Sequence, residues 1–230
     1  MKGGHASESQ DFVHYAFYKC RPEWRLLPEG EKEEGIAAFQ DAVEGFRSTI
    51  MMETYSTLGL RVDSDFLIWK VCPDLPPIQE MSAALNRTGL GRHLDFTTSL
   101  LAMTRKSIYT RAEPLAAGFR VDPGEGTYLF VYPFVKTRAW YALPLSERQR
   151  MMANHIRVGH EFPDVQLHTA YSFGLDDQEF VVSFSTDNPK RFQSLVMRLR
   201  ETEASSYTLR DTPIFTCVKR PLGEILKSLG

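Results

Sequence analysis

The sequence predicts an α+β protein built from two ferredoxin-like halves in one chain. Three observations carry this. The segment Gly59-Leu60-Arg61-Val62-Asp63-Ser64-Asp65-Phe66-Leu67-Ile68-Trp69 is echoed, half a chain later, by Gly174-Leu175-Asp176-Asp177-Gln178-Glu179-Phe180-Val181-Val182-Ser183-Phe184. Each is a Gly-Leu turn, an acidic stretch and a β-rich run, the signature of a duplicated unit. Each turn follows an extended stretch, residues 50–58 and 165–173, and each run leads into a helical pattern. With 230 residues, 43% hydrophobic and 24% charged, the chain is long and apolar enough to bury a sizeable core.

The elements follow in order. Residues 12–18 and 128–135 read as opening strands, and residues 31–48 and 145–160 as the helices behind them. The second helix of the first half spans 75–88, entered through Pro76 and Pro77, where a missing amide donor is tolerated. Its counterpart spans 189–203, with Asp187 and Asn188 as caps. Each half is then strand, helix, strand, strand, helix, strand. Two such units cover their apolar sheet faces by packing them together or by joining into a barrel. The chain thus divides into an N-terminal half over 1–110, a connection over 111–126 carrying Pro114 and Pro123, and a C-terminal half over 127–230. The halves are not expected to be independent domains.

Charge excludes one class of partner. Lys and Arg number 27 against 29 Asp and Glu, a net charge of −2. No basic footprint for nucleic acid or an anionic membrane is present. Residues 1–10 are polar and no apolar run approaches the roughly 20 residues that span a bilayer, so a cytoplasmic location is expected. Cys20, Cys72 and Cys217 are too scattered to signal a disulfide framework or a zinc site and read as buried free thiols.

Few residues carry a chemical signal. Tyr132 and Lys136 share one face of the strand Tyr128-Leu129-Phe130-Val131-Tyr132-Pro133-Phe134-Val135-Lys136, and Pro133 removes a ladder donor. By spacing alone, Tyr132 reads more readily as a cross-strand aromatic and Lys136 as a solvated edge charge. His155 lies on a helical stripe with Met151 and Gly159. A histidine there serves as a hydrogen-bonded core residue or as the neutral imidazole a haem iron takes on its proximal side, and Gly159 leaves room for a flat macrocycle. HExxH, GxSxG, P-loop and GxGxxG patterns are all missing.

Taken in order, Tyr132-Pro133-Phe134-Val135-Lys136, Trp140-Tyr141-Ala142-Leu143-Pro144, His155, Gly174-Leu175-Asp176-Asp177 and the stretch from Arg200 to Phe215 resemble the chlorite dismutase family of haem proteins, and within it the coproheme decarboxylase branch. The resemblance extends to Leu90-Gly91-Arg92 in the first half. It implies a dimeric α+β barrel, assembled as a homopentamer, with haem in the C-terminal half only. It further implies His155 as the proximal iron ligand, Tyr132 as the residue that becomes a radical, and Lys136 as a basic group near the propionates. By the same resemblance Arg200 and Ser205 fall where one branch of the family holds propionate contacts.

The implied substrates are iron coproporphyrin III (coproheme) and hydrogen peroxide. Two propionates are decarboxylated oxidatively to give haem b, with coproheme acting as both substrate and redox centre. A haem peroxidase, a chlorite-degrading enzyme, a non-catalytic haem carrier and a haem-free sensor of small ligands are the competing readings. Chlorite-splitting members carry a distal arginine. Aligned from Gly174 this chain has Leu167 there, and aligned from His155 it has His168. Where those members place a glutamate against the ligand histidine, this chain aligns Ala204, next to Glu203.

Overall fold

In a computed structural model of the protein, the structure describes residues 10–109, 126–176 and 178–230. The expected connection over 111–126 lies, except for Gly126, outside the described residues. The first half runs β1 (Phe12–Cys20), α1 (Glu29–Glu44), β2 (Met51–Ser56), β3 (Phe66–Cys72), α2 (Pro76–Arg87) and β4 (Leu94–Met103). The second runs β5 (Tyr128–Lys136), α3 (Arg138–Ala142), α4 (Leu145–Gly159), β6 (Gln166–Tyr171), β7 (Phe180–Thr186), α5 (Pro189–Arg200), β8 (Thr208–Arg210), β9 (Phe215–Lys219) and α6 (Leu222–Lys227).

Within the first half the strand order is β4-β1-β3-β2, and within the second β9-β5-β7-β6. The halves join edge to edge, with β2 pairing β9 and β4 meeting β6 where Met103 faces Tyr171. All these pairings are antiparallel, and with β5 pairing β7 the sheet closes on itself as a barrel. Closure leaves those eight strands without a free edge. The barrel interior is shared, since Val13, Tyr15, Phe17 and Trp69 pack in one cluster with Leu129, Val181 and Phe215. Phe17 and Phe215, from opposite halves, hold their rings 4.1 Å apart. The three cysteines are buried and free.

The duplication extends to the turns. Thr57 donates its amide to the Asp65 carbonyl at 2.8 Å and Leu60 donates to Thr57. In the second half Ser172 donates to Glu179 at 2.9 Å and Leu175 to Ser172. Both turns pass through a left-handed glycine, Gly59 at φ 74° and Gly174 at φ 73°, a conformation that costs a side-chain-bearing residue. Gly91 is required for a different reason, because a Cβ there would sit 1.8 Å from the Leu85 carbonyl oxygen.

The halves differ in what covers the outer face of the sheet. In the first, α1, α2 and the C-terminal α6 seal it, joining Phe39, Met81 and Leu226 to Ala16, Phe66 and Ile68. In the second, α5 lays Phe192 on Phe130 at 3.9 Å and on Phe184 at 5.2 Å. Two expected bounds shift. The helix expected to end at Ser48 stops at Glu44, and the one expected through Glu203 stops at Arg200. Asn188 caps the latter, its side chain accepting from the Lys190 amide. Asp187 instead accepts from Thr127.

Candidate functional site

The floor of the site is the outer face of β5, β7 and β6. Register aligns its side chains in three rows: Phe130, Phe184 and Leu167; then Tyr132, Val182 and Thr169; then Phe134, Phe180 and Tyr171. Leu167 is 54% exposed on this largely apolar face, so the floor lies open at that point of β6. At the equivalent place in the first half, in the row of His14, Lys70 and Met52, the methionine is sealed at 4%.

His155 projects from α4, on the stripe that carries the buried Met151 and Val158. Its Nδ1 lies 2.9 Å from Thr202 Oγ1, and that hydroxyl donates to the Leu199 carbonyl at 2.7 Å. With its one proton spent, Thr202 accepts from Nδ1–H, which leaves the lone pair on Nε2. Burial, aided by the positive charge of Lys136, holds the imidazole down to about 4, so it is neutral near pH 7. A Cβ placed on Gly159, one turn along, meets nothing within 4 Å.

Among the described residues no cluster of three His, Cys, Asp or Glu could hold a bare metal ion. An iron porphyrin brings its other iron ligands with it and asks the protein for a single imidazole. The free Nε2, the open space at Gly159 and the uncovered apolar floor fit such a group.

Lys136 is 6% exposed, and its ammonium donates to the Ala204 carbonyl at 2.6 Å while lying 4.7 Å over the Trp140 ring. Burial lowers it to about 8, with Glu179 opposing. Glu179 Oε2 accepts from the Lys136 amide at 2.8 Å and from the Tyr141 hydroxyl at 2.5 Å. The amine expected as a point charge near propionates thus ties β5 to the turn behind His155. Tyr132 is buried, and desolvation chiefly, with Asp211 adding and Arg200 opposing, pushes its phenol above the usual tyrosine range. Arg200 and Asp211 form an ion pair of 3.1 Å.

The edge pairing of β5 brings Asp211 near enough for its charge to act on Tyr132. That edge pairs β9 as far as Val131 and β8 from Val135, leaving 132–134 between them, where Pro133 has no amide to lose. Ser205 lies half-buried in the 3-10 turn Glu203–Tyr207.

Beside the third row is a cavity of 490 Å³, walled by Tyr141, Tyr171, Phe173 and Phe180 and bordered by Arg105, Lys106 and Arg148.

The chlorite dismutase family model matches residues 32–220. The chain belongs to the chlorite dismutase family. It is similar to the coproheme decarboxylase of Mycolicibacterium smegmatis, 33% identical over 171 residues, which are 74% of this chain and 73% of that one. A variant of the chlorite dismutase of Candidatus Nitrospira defluvii superposes with a TM-score of 0.88 at 26% identity, over 97% of this chain and 96% of the other. A haem-binding protein of Thermus thermophilus shares the fold with a TM-score of 0.85 at 22% identity, over 98% of both chains.

In this member of the chlorite dismutase family the two distal alternatives separate by face. Leu167 lies on the floor with Tyr132. His168 points the other way, into the barrel, with its ring edge-on to Trp69 at 5.4 Å and its Nε2 3.2 Å from Ser185 Oγ. A residue on that face cannot line the floor, which corrects the alternative alignment. Neither residue beside the expected proximal position supplies a carboxylate to His155. Ala204 is fully buried, and Glu203 turns outward to a bidentate pair with Arg150 at 2.9 and 3.0 Å. Sequence reasoning missed Thr202, Glu179 and Asp211.

Proposed function

We propose that this protein binds iron coproporphyrin III as substrate, with its iron on His155 Nε2, and uses hydrogen peroxide to decarboxylate two propionates, giving haem b. The observation that supports this most is the His155 tautomer fixed by Thr202, in the same half as an apolar floor that carries Tyr132 and lies open at Leu167. The M. smegmatis relative carries the name of this activity.

Each step consumes one propionate, one peroxide and one proton and releases one vinyl group, one carbon dioxide and two waters. The propionate loses two electrons, and both O–O oxygens leave as water. The iron porphyrin supplies the redox chemistry, and the protein supplies placement. Tyr132 keeps its proton because burial disfavours the phenolate, so it reacts as a hydrogen-atom donor. Oxidised, it regains hydrogen from the propionate carbon next to the ring. Arg200 offers a bidentate clamp for the reacting carboxylate, exchanging Asp211 for it.

A hydroxyl behind His155 makes the imidazole less anionic than a carboxylate would, which suits an iron that leaves with its product. Leu167 supplies no distal cation, which argues against chlorite turnover. Peroxide titrated into the coproheme-loaded protein should remove two carboxyl groups stepwise, read from the porphyrin mass. Bound coproheme of unchanged mass would leave a carrier.

A further inference from the structure

We propose that Lys70, buried beside His14 in the first half, is a modification site that takes carbon dioxide on its side-chain nitrogen as a carbamate. Lys70 is fully buried, and its Nζ has no hydrogen-bond partner among the described residues. His14 is buried too, and its Nδ1 likewise lacks a partner. The two are register partners on β3 and β1, so their side chains stand next to each other on one face of the sheet, with Cβ atoms about 5 Å apart. That is the outer face, which α1, α2 and α6 cover. The fold itself needs no amine at this node, because the second half carries Phe184 in the matching row.

An unpaired charge in an apolar layer is costly. Burial accordingly holds the Lys70 ammonium down to about 8, which makes the free, nucleophilic amine available near neutral pH. The sealed layer then selects the reagent. An ion must shed its water to enter, whereas carbon dioxide is small and uncharged and reacts with the free amine. The nitrogen lone pair forms the C–N bond, one C=O electron pair moves onto oxygen, and the nitrogen gives up a proton. His14 Nδ1 takes that proton, which sets an imidazolium against the carbamate and leaves a pair with no net charge. Without the carbamate, burial and the positive charge of Lys70 hold His14 down to about 3. The adduct turns the repulsion from Lys70 into attraction. His14 Nε2 lies 3.0 Å from the hydroxyl of the exposed Ser99, which gives protons a route to solvent. The proposal stands apart from the coproheme reading, although that reaction releases the same gas.

The test labels the lysine side chains of the full chain with nitrogen-15 and equilibrates the protein with carbon-13 bicarbonate at mildly alkaline pH. The wild type should show a carbamate carbon split by one-bond coupling to nitrogen, which only a covalent adduct produces. Lys70→Met should lose that resonance. The substitution keeps the length of the side chain and removes an uncompensated charge, so the variant keeps its fold. His14→Leu should need about 10-fold more bicarbonate for the same occupancy, as expected when a charge-assisted hydrogen bond is lost. No bound carbon, a bound carbon without the coupling, a split resonance that survives Lys70→Met, or an occupancy indifferent to His14→Leu would each overturn the proposal. None of these results bears on the coproheme reading, which the porphyrin mass tests separately.

Discussion

His155 shows how a residue of ambiguous sequence meaning acquires a chemical role from its neighbours. A lone histidine on an apolar stripe is more often a core residue than a ligand. The hydroxyl of Thr202, itself committed to the Leu199 carbonyl, decides which ring nitrogen carries the proton. The depressed basicity has a measurable consequence. In the unfolded chain His155 takes a proton near pH 6.5, but in the folded protein only near 4. The unfolded state therefore binds more protons between those values, and stability is complete above about 6.5 and falls as the pH drops towards 4. The contribution is at most about 3 kcal/mol. His14, held down to about 3 by burial and Lys70, acts in the same direction. The informative quantity is thus the difference between wild type and His155→Ala in denaturant unfolding at pH 7 and pH 4.5. We expect the variant to lose less stability on acidification, and parallel profiles would contradict the burial of a neutral imidazole.

At the scale of elements, the strands were legible and the ends of helices were not. Alternation and the paired Gly-Leu turns place β2, β3, β6 and β7, because a left-handed turn needs glycine and a buried strand needs β-branched and aromatic residues. The helix expected through Glu203 ends at Arg200 instead, and Thr202 takes extended backbone at φ −77°, ψ 149°. That early stop is what turns its hydroxyl to His155, and no pattern in Arg200-Glu201-Thr202-Glu203 announces it. The face of β6 was equally hidden, since a one-residue slip exchanges Leu167 for His168. With His168 packed on Trp69 inside the barrel, His168→Ala should cost about 2 kcal/mol or more in denaturant unfolding, the range for truncating a buried side chain. Coproheme uptake by the refolded variant should match wild type. A loss of peroxide turnover at unchanged stability would show that His168 faces the substrate after all.

Over the whole molecule, duplication builds two similar halves and later packing makes them unequal. The node that holds Leu167, Phe184 and Phe130 in the second half holds Met52, Lys70 and His14 in the first, where α6 and two helices close it. The C-terminal helix, unforeseen in the sequence, helps to explain why one half offers an open floor and the other does not. Barrel closure was also out of reach of local pattern, because it depends on edge contacts between distant strands such as Met103 and Tyr171. Since both halves contribute to one interior cluster, they should unfold together in a single calorimetric transition. Two resolved transitions would mean that the halves are separate domains. The central claim concerns Tyr132, whose phenol is kept protonated by burial on the floor of β5, β7 and β6. It is tested most directly by the porphyrin mass after peroxide is titrated into coproheme-loaded Tyr132→Phe. The account predicts normal coproheme binding with all four propionates retained, and stepwise loss of two at the wild-type rate would contradict it.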